Sequence, residues 1–360
     1  MKEKNLKAGV VGCGGIANGK HLPAVKAAGG AEITAFCDII LEKAEKANKE
    51  YGGGKGKVFA DYRDMLKEPL DIVYVCTPNN SHCEITVAAL NAGKHVMCEK
   101  PMAMNYAEAR QMIDAKNKSG KLLTVGYQGR FRPDTVYLKK ECEAGVLGEI
   151  YFAKAHALRR RAVPTWGVFI DEEKQGGGPL IDIGTHALDL ALYMMDNYEP
   201  LYAVGTTYHK MNKMTETGNM WGDWDTDRFT AEDSAFGFVV MKNGATIFLE
   251  SSWALNIADP QEAAITLCGT RAGADMKDGL RINGVSHGAQ YISKPDFKSG
   301  GVAFYSGKTA TPETFEAACF LEAVRGKGKL KVLPEQAAVV TQILEGIYTS
   351  AKAGTPYVFR

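Results

Sequence analysis

The chain reads as an α/β protein in which a doubly wound parallel sheet is followed by an α+β region built on a large, mostly antiparallel open sheet. Three observations predict this. Over the first 126 residues, short and almost wholly apolar runs alternate with amphipathic helical segments, as strands covered on both faces of a parallel sheet require. A glycine-rich turn, Gly12-Cys13-Gly14-Gly15-Ile16-Ala17, joins the first such run to the first helical segment. Beyond residue 127 the strand-like runs lengthen and adjoin one another, and Asn243-Gly244 between two of them is a tight-hairpin signal.

The elements follow in order. Residues 7–11 form an apolar run that ends at the glycine turn, and 16–28 carry helical spacing. The run 32–37 stops at Asp38, and 41–51 reads as a charged amphipathic helix closed by Gly52-Gly53-Gly54. Val58-Phe59 and a helix over 61–66 lead to the apolar strand 71–76, which ends at Thr77-Pro78-Asn79. A helix over 81–92, a strand over 94–98, a helix over 105–119 and a strand over 122–126 complete six alternating units, the arrangement of a Rossmann domain spanning 1–126. In 127–360 the spacing predicts strands over 150–161, 201–211, 234–242, 245–255 and 262–268. Helices are expected over 180–195, 313–324 and 334–352, with a long loop over 213–228. These residues would form a second, α+β domain over 127–360.

Bulk properties bound the partners. A length of 360 residues favours two domains. With 43 basic and 42 acidic side chains the net charge is +1, which supplies no electrostatic reason to bind nucleic acid or an anionic membrane, so the expected ligand is small. The eight cysteines contain no C-x-x-C pair, and no metal site is expected; several sit in apolar runs and read as small buried hydrophobes in a reducing compartment. The first residues carry no apolar stretch of signal-peptide or membrane-span length, so the expected location is the cytoplasm.

The turn fits G-x-G-x-x-A. Gly12 makes the tight turn, Gly14 admits a pyrophosphate to the backbone, and small Ala17 lets helix approach strand, with Gly15 and Ile16 in the loop that leads into the helix N-terminus. Asp38 lies about twenty residues further on, where a carboxylate accepts hydrogen bonds from both adenosine ribose hydroxyls and repels a 2′-phosphate. Ile39 and Ile40 follow it, with no adjacent Arg or Lys, so NAD is favoured over NADP. Thr77, Pro78 and Asn79 at the third strand end are placed to line the crevice near the nicotinamide half, and Lys100, just past another strand, faces the same crevice.

In the segment 180–189, Asp182, His186 and Asp189 share one helix face while Ile183, Ala187, Leu190 and Met194 share a face suited to a core. A carboxylate one turn before a histidine can orient its ring or join the substrate hydrogen bonds. Arg159 and Arg161 fall on one face of the predicted strand, with Arg160 on the other; they suit substrate hydroxyls or a carboxylate, and equally an exposed face or subunit contact. Trp166 suits either a flat platform for a ligand ring or a core or interface position.

The Gly12 turn, Asp38, Thr77-Pro78-Asn79 with His82, Glu99-Lys100-Pro101 and Asp182-x-Gly184-x-His186 together resemble the glucose-fructose oxidoreductase/inositol dehydrogenase/rhizopine-catabolism (Gfo/Idh/MocA) oxidoreductase family. The likeness spans both halves of the chain in the right order. It implies NAD(P)-dependent oxidation of a sugar or cyclitol hydroxyl, a catalytic set of Lys100, Asp182 and His186, and a dimer or tetramer formed through the open sheet. It also implies cofactor contacts from His82 and Glu99. Gly126-Tyr127-Gln128-Gly129-Arg130-Phe131 resembles the family's entry to the second domain, with Gln128 near the nicotinamide, where many members have Asn, and Tyr127 toward the substrate.

The chemistry this implies is hydride transfer from a secondary carbinol with removal of the hydroxyl proton. His186 would be the base, and Lys100 would donate to the same oxygen. The positive nicotinamide would depress the pKa values of both, favouring alkaline pH for oxidation. A second reading is a glycosidase-like enzyme with tightly bound NAD that uses transient oxidation and elimination. A third is a non-catalytic NAD-binding regulator.

Overall fold

The computed structural model describes residues 5–297 and 311–360. The chain forms two compact units. The first contains residues 5–131 together with 311–338, and the second contains 132–297 and 339–360. The sequence suggested a single division at 126/127. The helix over 312–324 joins the first unit because Ala317, Phe320 and Leu321 are buried in the same core as Ala8, Val10, Leu22 and Phe36.

In the first unit, β1 (Leu6–Val11) runs into the glycine turn, a π turn (Ala17–His21) and α1 (Leu22–Ala28). There follow β2 (Ala31–Cys37), α2 (Leu41–Tyr51), β3 (Lys57–Phe59), α3 (Tyr62–Met65), β4 (Ile72–Val75), α4 (His82–Asn91), β5 (His95–Cys98), α5 (Tyr106–Ser119) and β6 (Leu123–Val125). All six strands are parallel, in the order β3-β2-β1-β4-β5-β6. β4 is buried throughout, as its unbroken apolar run demands. Asn105 caps α5 by accepting from the Glu108 N–H at 2.9 Å, and Gly120, at φ 66°, ends it. The strand order reverses between β1 and β4, so the ligand crevice lies beyond the carboxyl ends of those two strands.

In the second unit, α6 (Pro133–Glu143) precedes β7 (Ile150–Leu158), α7 (Glu172–Gln175), a π turn (Leu180–Gly184) and α8 (Thr185–Met195). The strands β8 (Pro200–Tyr208), β9 (Ser234–Met241), β10 (Thr246–Ser252), β11 (Ala264–Gly269), β12 (Ala272–Asp275), β13 (Arg281–Ser286) and β14 (Ala289–Ser293) come next. The chain closes with α9 (Pro312–Val324), which belongs to the first unit, α10 (Pro334–Ala353) and β15 (Tyr357–Val358). The sheet order is β14-β13-β12-β11-β7-β10-β9-β8-β15, antiparallel except for the β7–β10 pair. The Asn243-Gly244 hairpin is present, with Gly244 at φ 88° and its N–H bonded to the Met241 carbonyl.

Alternation separates the two faces of this sheet. Ala153, Ala155 and Ala157 of β7 and Ile247 and Leu249 of β10 point into the core, where α8 packs on β7 and β11. Gly205 and Gly237, paired across β8 and β9, leave room for Ile347 of α10. On the opposite face Phe152, Phe238 and Phe248 form a chain of ring contacts with centroids 5.7 and 5.1 Å apart, and Phe248 is 41% exposed. Helix α6 and strands β12 to β14 were not foreseen. Among the described residues no helix is long and apolar enough to cross a membrane.

Candidate active site

The turn after β1 has the geometry its glycines permit. Gly12 adopts φ 88°, and a Cβ there would sit 2.6 Å from the Cys76 carbonyl oxygen. At Gly14 and Gly15 a Cβ would meet no atom within 4 Å, so the backbone faces open space, while Ala17 is wholly buried against the sheet. Asn18 braces the loop by donating to the carbonyls of Cys13 (2.7 Å) and Gly14 (2.9 Å). Asp38 stands at the end of β2. Its Oδ2 accepts from the Cys13 N–H at 2.8 Å and its Oδ1 from the Ile40 N–H at 2.9 Å, which locks the carboxylate beside the turn. Open backbone at Gly14 and Gly15, a helix start behind it and a fixed carboxylate fit the pyrophosphate and ribose of a dinucleotide. Burial pushes the Cys13 thiol up to about 12, with the Asp38 and Cys37 charges adding to the rise, so it stays protonated.

At the neighbouring strand ends, Pro78 is exposed and Thr77 half-buried, while Asn79 is buried. His82 has no exposed surface. Its Nδ1 lies 2.8 Å from the Pro101 carbonyl and its Nε2 2.9 Å from that of Thr77, tying the turn after β4 to the segment after β5. Desolvation lowers its pKa against the pull of those two carbonyls. Such a side chain acts on a ligand only through the residues it holds.

Glu99 is likewise buried. Its Oε1 lies 2.7 Å from Lys20 Nζ and 2.6 Å from His21 Nε2, and its Oε2 accepts the Lys100 N–H at 2.9 Å. Lys20 also meets Glu316 of α9 at 3.1 Å and Gln128 Oε1 at 3.2 Å. Burial alone would raise the Glu99 carboxyl, but the Lys20 ammonium and the His21 ring hold it well below the usual range. Burial raises Glu316, and Lys20 only partly offsets this. Lys100 itself is half-buried just beyond this cluster. Lys20, His21 and Glu316 did not stand out in the sequence. The only signal was that Lys20 and His21 fall one turn beyond Ala17, on a face the helix buries.

In the second unit Asp182 lies in the π turn and His186 in the first turn of α8. Trp253 Nε1 donates to Asp182 Oδ2 at 3.0 Å, and both residues are buried, whereas His186 is partly exposed. The expected polar face is not solvated, since Asp182 and Asp189 are buried along with Leu188 and Leu192. The helix is covered by β7 and β11 and by α6.

Arg159, Arg160 and Arg161 do not lie on a strand, because β7 ends at Leu158. The chain there turns along β10, with the Arg159 N–H bonded to the Ser252 carbonyl and the Ala162 N–H to that of Trp253. Arg159 forms a bidentate pair with Glu262 at 2.6 and 2.5 Å and lies 5.4 Å from the Trp221 ring centroid. Arg161 donates to Asn256. Trp166 is 52% exposed and meets Trp221 edge-on at 5.0 Å, so it is not a core residue. Tyr127 is buried, in contrast to the open position that direct substrate contact suggests.

A glycine turn at the head of a doubly wound parallel sheet, followed in the chain by a second α+β unit, is the architecture of a dinucleotide-binding oxidoreductase. Residues 6–127 match the description "Oxidoreductase family, NAD-binding Rossmann fold" and residues 135–275 match "GFO/IDH/MocA C-terminal domain". The chain belongs to the GFO/IDH/MocA family. It is 36% identical over 358 residues to D-glucoside 3-dehydrogenase of Escherichia coli (strain K12), covering 99% of this chain and 98% of the relative. It is 38% identical over 194 residues to inositol 2-dehydrogenase/D-chiro-inositol 3-dehydrogenase of Lactiplantibacillus plantarum (strain ATCC BAA-793 / NCIMB 8826 / WCFS1), covering 53% of each chain. In fold it matches levoglucosan dehydrogenase in complex with NADH and L-sorbose, with a TM-score of 0.85 at 21% identity over 99% of this chain and 100% of that one.

Proposed function

We propose that this oxidoreductase oxidises a secondary ring hydroxyl of a sugar, cyclitol or sugar derivative, with D-glucosides as the first substrates. The observation that carries the reading is the end-to-end similarity to a D-glucoside 3-dehydrogenase, across both units. The named relatives are dehydrogenases, and none favours the redox-assisted glycosidase reading.

NAD, when bound, supplies the hydride acceptor. In our reading the residues around the Gly12 turn hold the pyrophosphate, Asp38 receives the ribose hydroxyls and disfavours NADP, and Thr77, Pro78, Asn79 and Gln128 border the nicotinamide end. His186 accepts the substrate hydroxyl proton. Lys100 donates to the same oxygen and stabilises the alkoxide charge that develops as the C–H bond breaks. Asp182 orients His186 or a substrate hydroxyl, its own direction set by Trp253. Because Arg159 is bound to Glu262, it serves substrate selection through its position against Trp221, whose ring meets Trp166, more than as an unpaired cation.

The aromatic face of the second sheet supports a homo-oligomer, since half-buried Phe152 and Phe238 and exposed Phe248 gain by burial against a second copy. Eight unpaired cysteines support work in a reducing compartment, the cytoplasm. The test is the purified protein with NAD and a panel of glucosides, free sugars, inositols and sugar acids at about pH 9, where a proton-releasing oxidation is favoured, beside chromogenic glycosides. NADH formation on one of these carbohydrates is expected. Glycoside cleavage without NADH would overturn the reading.

A further inference from the structure

The stretch Gly176-Gly177-Gly178, just before the Asp182 and His186 helix, has no part in the chemistry above, and its surroundings explain it. Gly177 adopts φ 149°, and a Cβ there would run into the Tyr348 hydroxyl; a Cβ on Gly178 would run into the Glu232 carbonyl oxygen. Glu232, on the segment entering β9, and Tyr348, on α10, therefore press directly on the backbone at the helix start.

They also satisfy it. Glu232 Oε2 accepts the Gly178 N–H at 2.6 Å, and its Oε1 accepts the Leu180 N–H at 3.2 Å and the Tyr348 hydroxyl at 2.8 Å. Pro179 has no N–H to satisfy. The backbone donors at 178 and 180, which a helix start leaves without intrahelical partners, thus end on one buried carboxylate, which half-buried Tyr348 also bonds. The next N–H, that of Asp182, bonds back to the Gly178 carbonyl at 3.0 Å, and His186 follows one turn later.

We propose that Glu232 is a positioning residue, a carboxylate clamp seconded by Tyr348 that sets the start of the helix and thereby the placement of Asp182 and His186. This deepens the dehydrogenase reading and rests on it for its kinetic consequences. Ionised, Glu232 has lone pairs for all three donors, and its charge suits a helix N-terminus. Protonated, one oxygen becomes a donor facing donors, and an amide loses its acceptor. Burial pushes the Glu232 carboxyl up to about 7, with the Tyr348 hydroxyl and the Gly178 and Leu180 amides limiting the rise, so the clamp changes state near neutrality. The titratable groups about it are Tyr348 from α10, the adjacent buried Asp233, which accepts the Met211 N–H, and Glu172 of α7, which acts on Tyr348.

The experiment is the pH dependence of kcat and kcat/KM for the NAD-loaded wild type, Glu232→Gln and Tyr348→Phe on the substrate the panel identifies. Wild type is expected to lose activity toward acid as Glu232 takes up its proton. Glu232→Gln should lack that limb, with kcat lowered about tenfold and KM for NAD unchanged. Tyr348→Phe, which removes a donor to the ionised carboxylate, should move the acid limb to higher pH. An unchanged limb in both variants would overturn the proposal. Thermal unfolding of the same proteins between pH 5 and 8 tests it without turnover: wild type should lose stability relative to Glu232→Gln as pH rises, and parallel curves would refute the buried, titrating clamp. If wild type oxidises nothing on the panel, the dehydrogenase reading fails, and the unfolding curves still decide the clamp.

Discussion

Trp253 donates its indole N–H to Asp182 at 3.0 Å, and the two residues are among the buried polar contacts of the second unit. The ring is wholly buried, its centroid 6.2 Å from that of Phe229, so the direction of the N–H is fixed by packing. The Asp182 carboxylate inherits that direction. Trp253→Phe keeps most of the packing and removes the donor. A hydrogen bond to a charged group is worth about 1.5–3 kcal/mol, so kcat/KM should fall roughly tenfold or more, with the midpoint of thermal unfolding lowered. Kinetics at one pH together with a melting curve check this, and unchanged kcat/KM would separate Asp182 orientation from activity.

His186→Ala should lower the oxidation rate by about 10²–10⁴-fold, the usual contribution of a positioned general base. Lys100→Met should lower kcat with little change in KM for NAD, since the lost donor acts on the developing alkoxide. Steady-state rates with NAD and the identified sugar measure both. Wild-type rates in His186→Ala would remove it from the role of base.

Asp38→Asn removes the charge that opposes a 2′-phosphate while keeping oxygen for one of the two amides, Cys13 and Ile40, that the carboxylate now serves. The preference for NAD over NADP should drop by about tenfold, about 1.4 kcal/mol, chiefly through a lower KM for NADP. Comparing kcat/KM for the two cofactors gives the result directly.

Glu99→Gln leaves Lys20 buried against a neutral amide, with Glu316 at 3.1 Å as its other carboxyl partner. Breaking one side of a buried ion pair costs roughly 3–5 kcal/mol, so denaturant unfolding should show a clear loss. The pH dependence has a definite sign. Because the folded Glu99 carboxyl is depressed, its contribution is present above the unfolded value near ~4.3 and is lost as pH falls through the folded one. Wild type should therefore lose its advantage over Glu99→Gln in strong acid.

Glu232 runs in the opposite direction. Its folded pKa of about 7 lies above the unfolded ~4.3, so the folded state holds the extra proton in between and stability falls as pH rises through that window. The difference between wild type and Glu232→Gln should shift by about 3 kcal/mol between pH 5 and pH 8 in favour of the glutamine. Chemical denaturation at the two pH values measures it.

Local pattern determined a large part of this protein. The helix over 41–51, the strand ends at Asp38 and at Lys100, the glycine turn and the Asn243-Gly244 hairpin are all set by neighbours a few residues apart, through backbone sterics and apolar periodicity. The glycine turn and the carboxylate at the end of the second strand were legible for the same reason, since both are set by local sequence. What only the tertiary structure decided is which polar groups meet across long stretches of chain. Glu99 finds Lys20 79 residues away, Asp182 finds Trp253 71 residues away, and Glu232 finds Tyr348 116 residues away. It also decided that α9 returns to the first unit and that Arg159 leaves the strand to pair with Glu262. A buried charge must have a partner, but periodicity carries no information on which one, since that choice is made when the sheets and helices pack and exclude water.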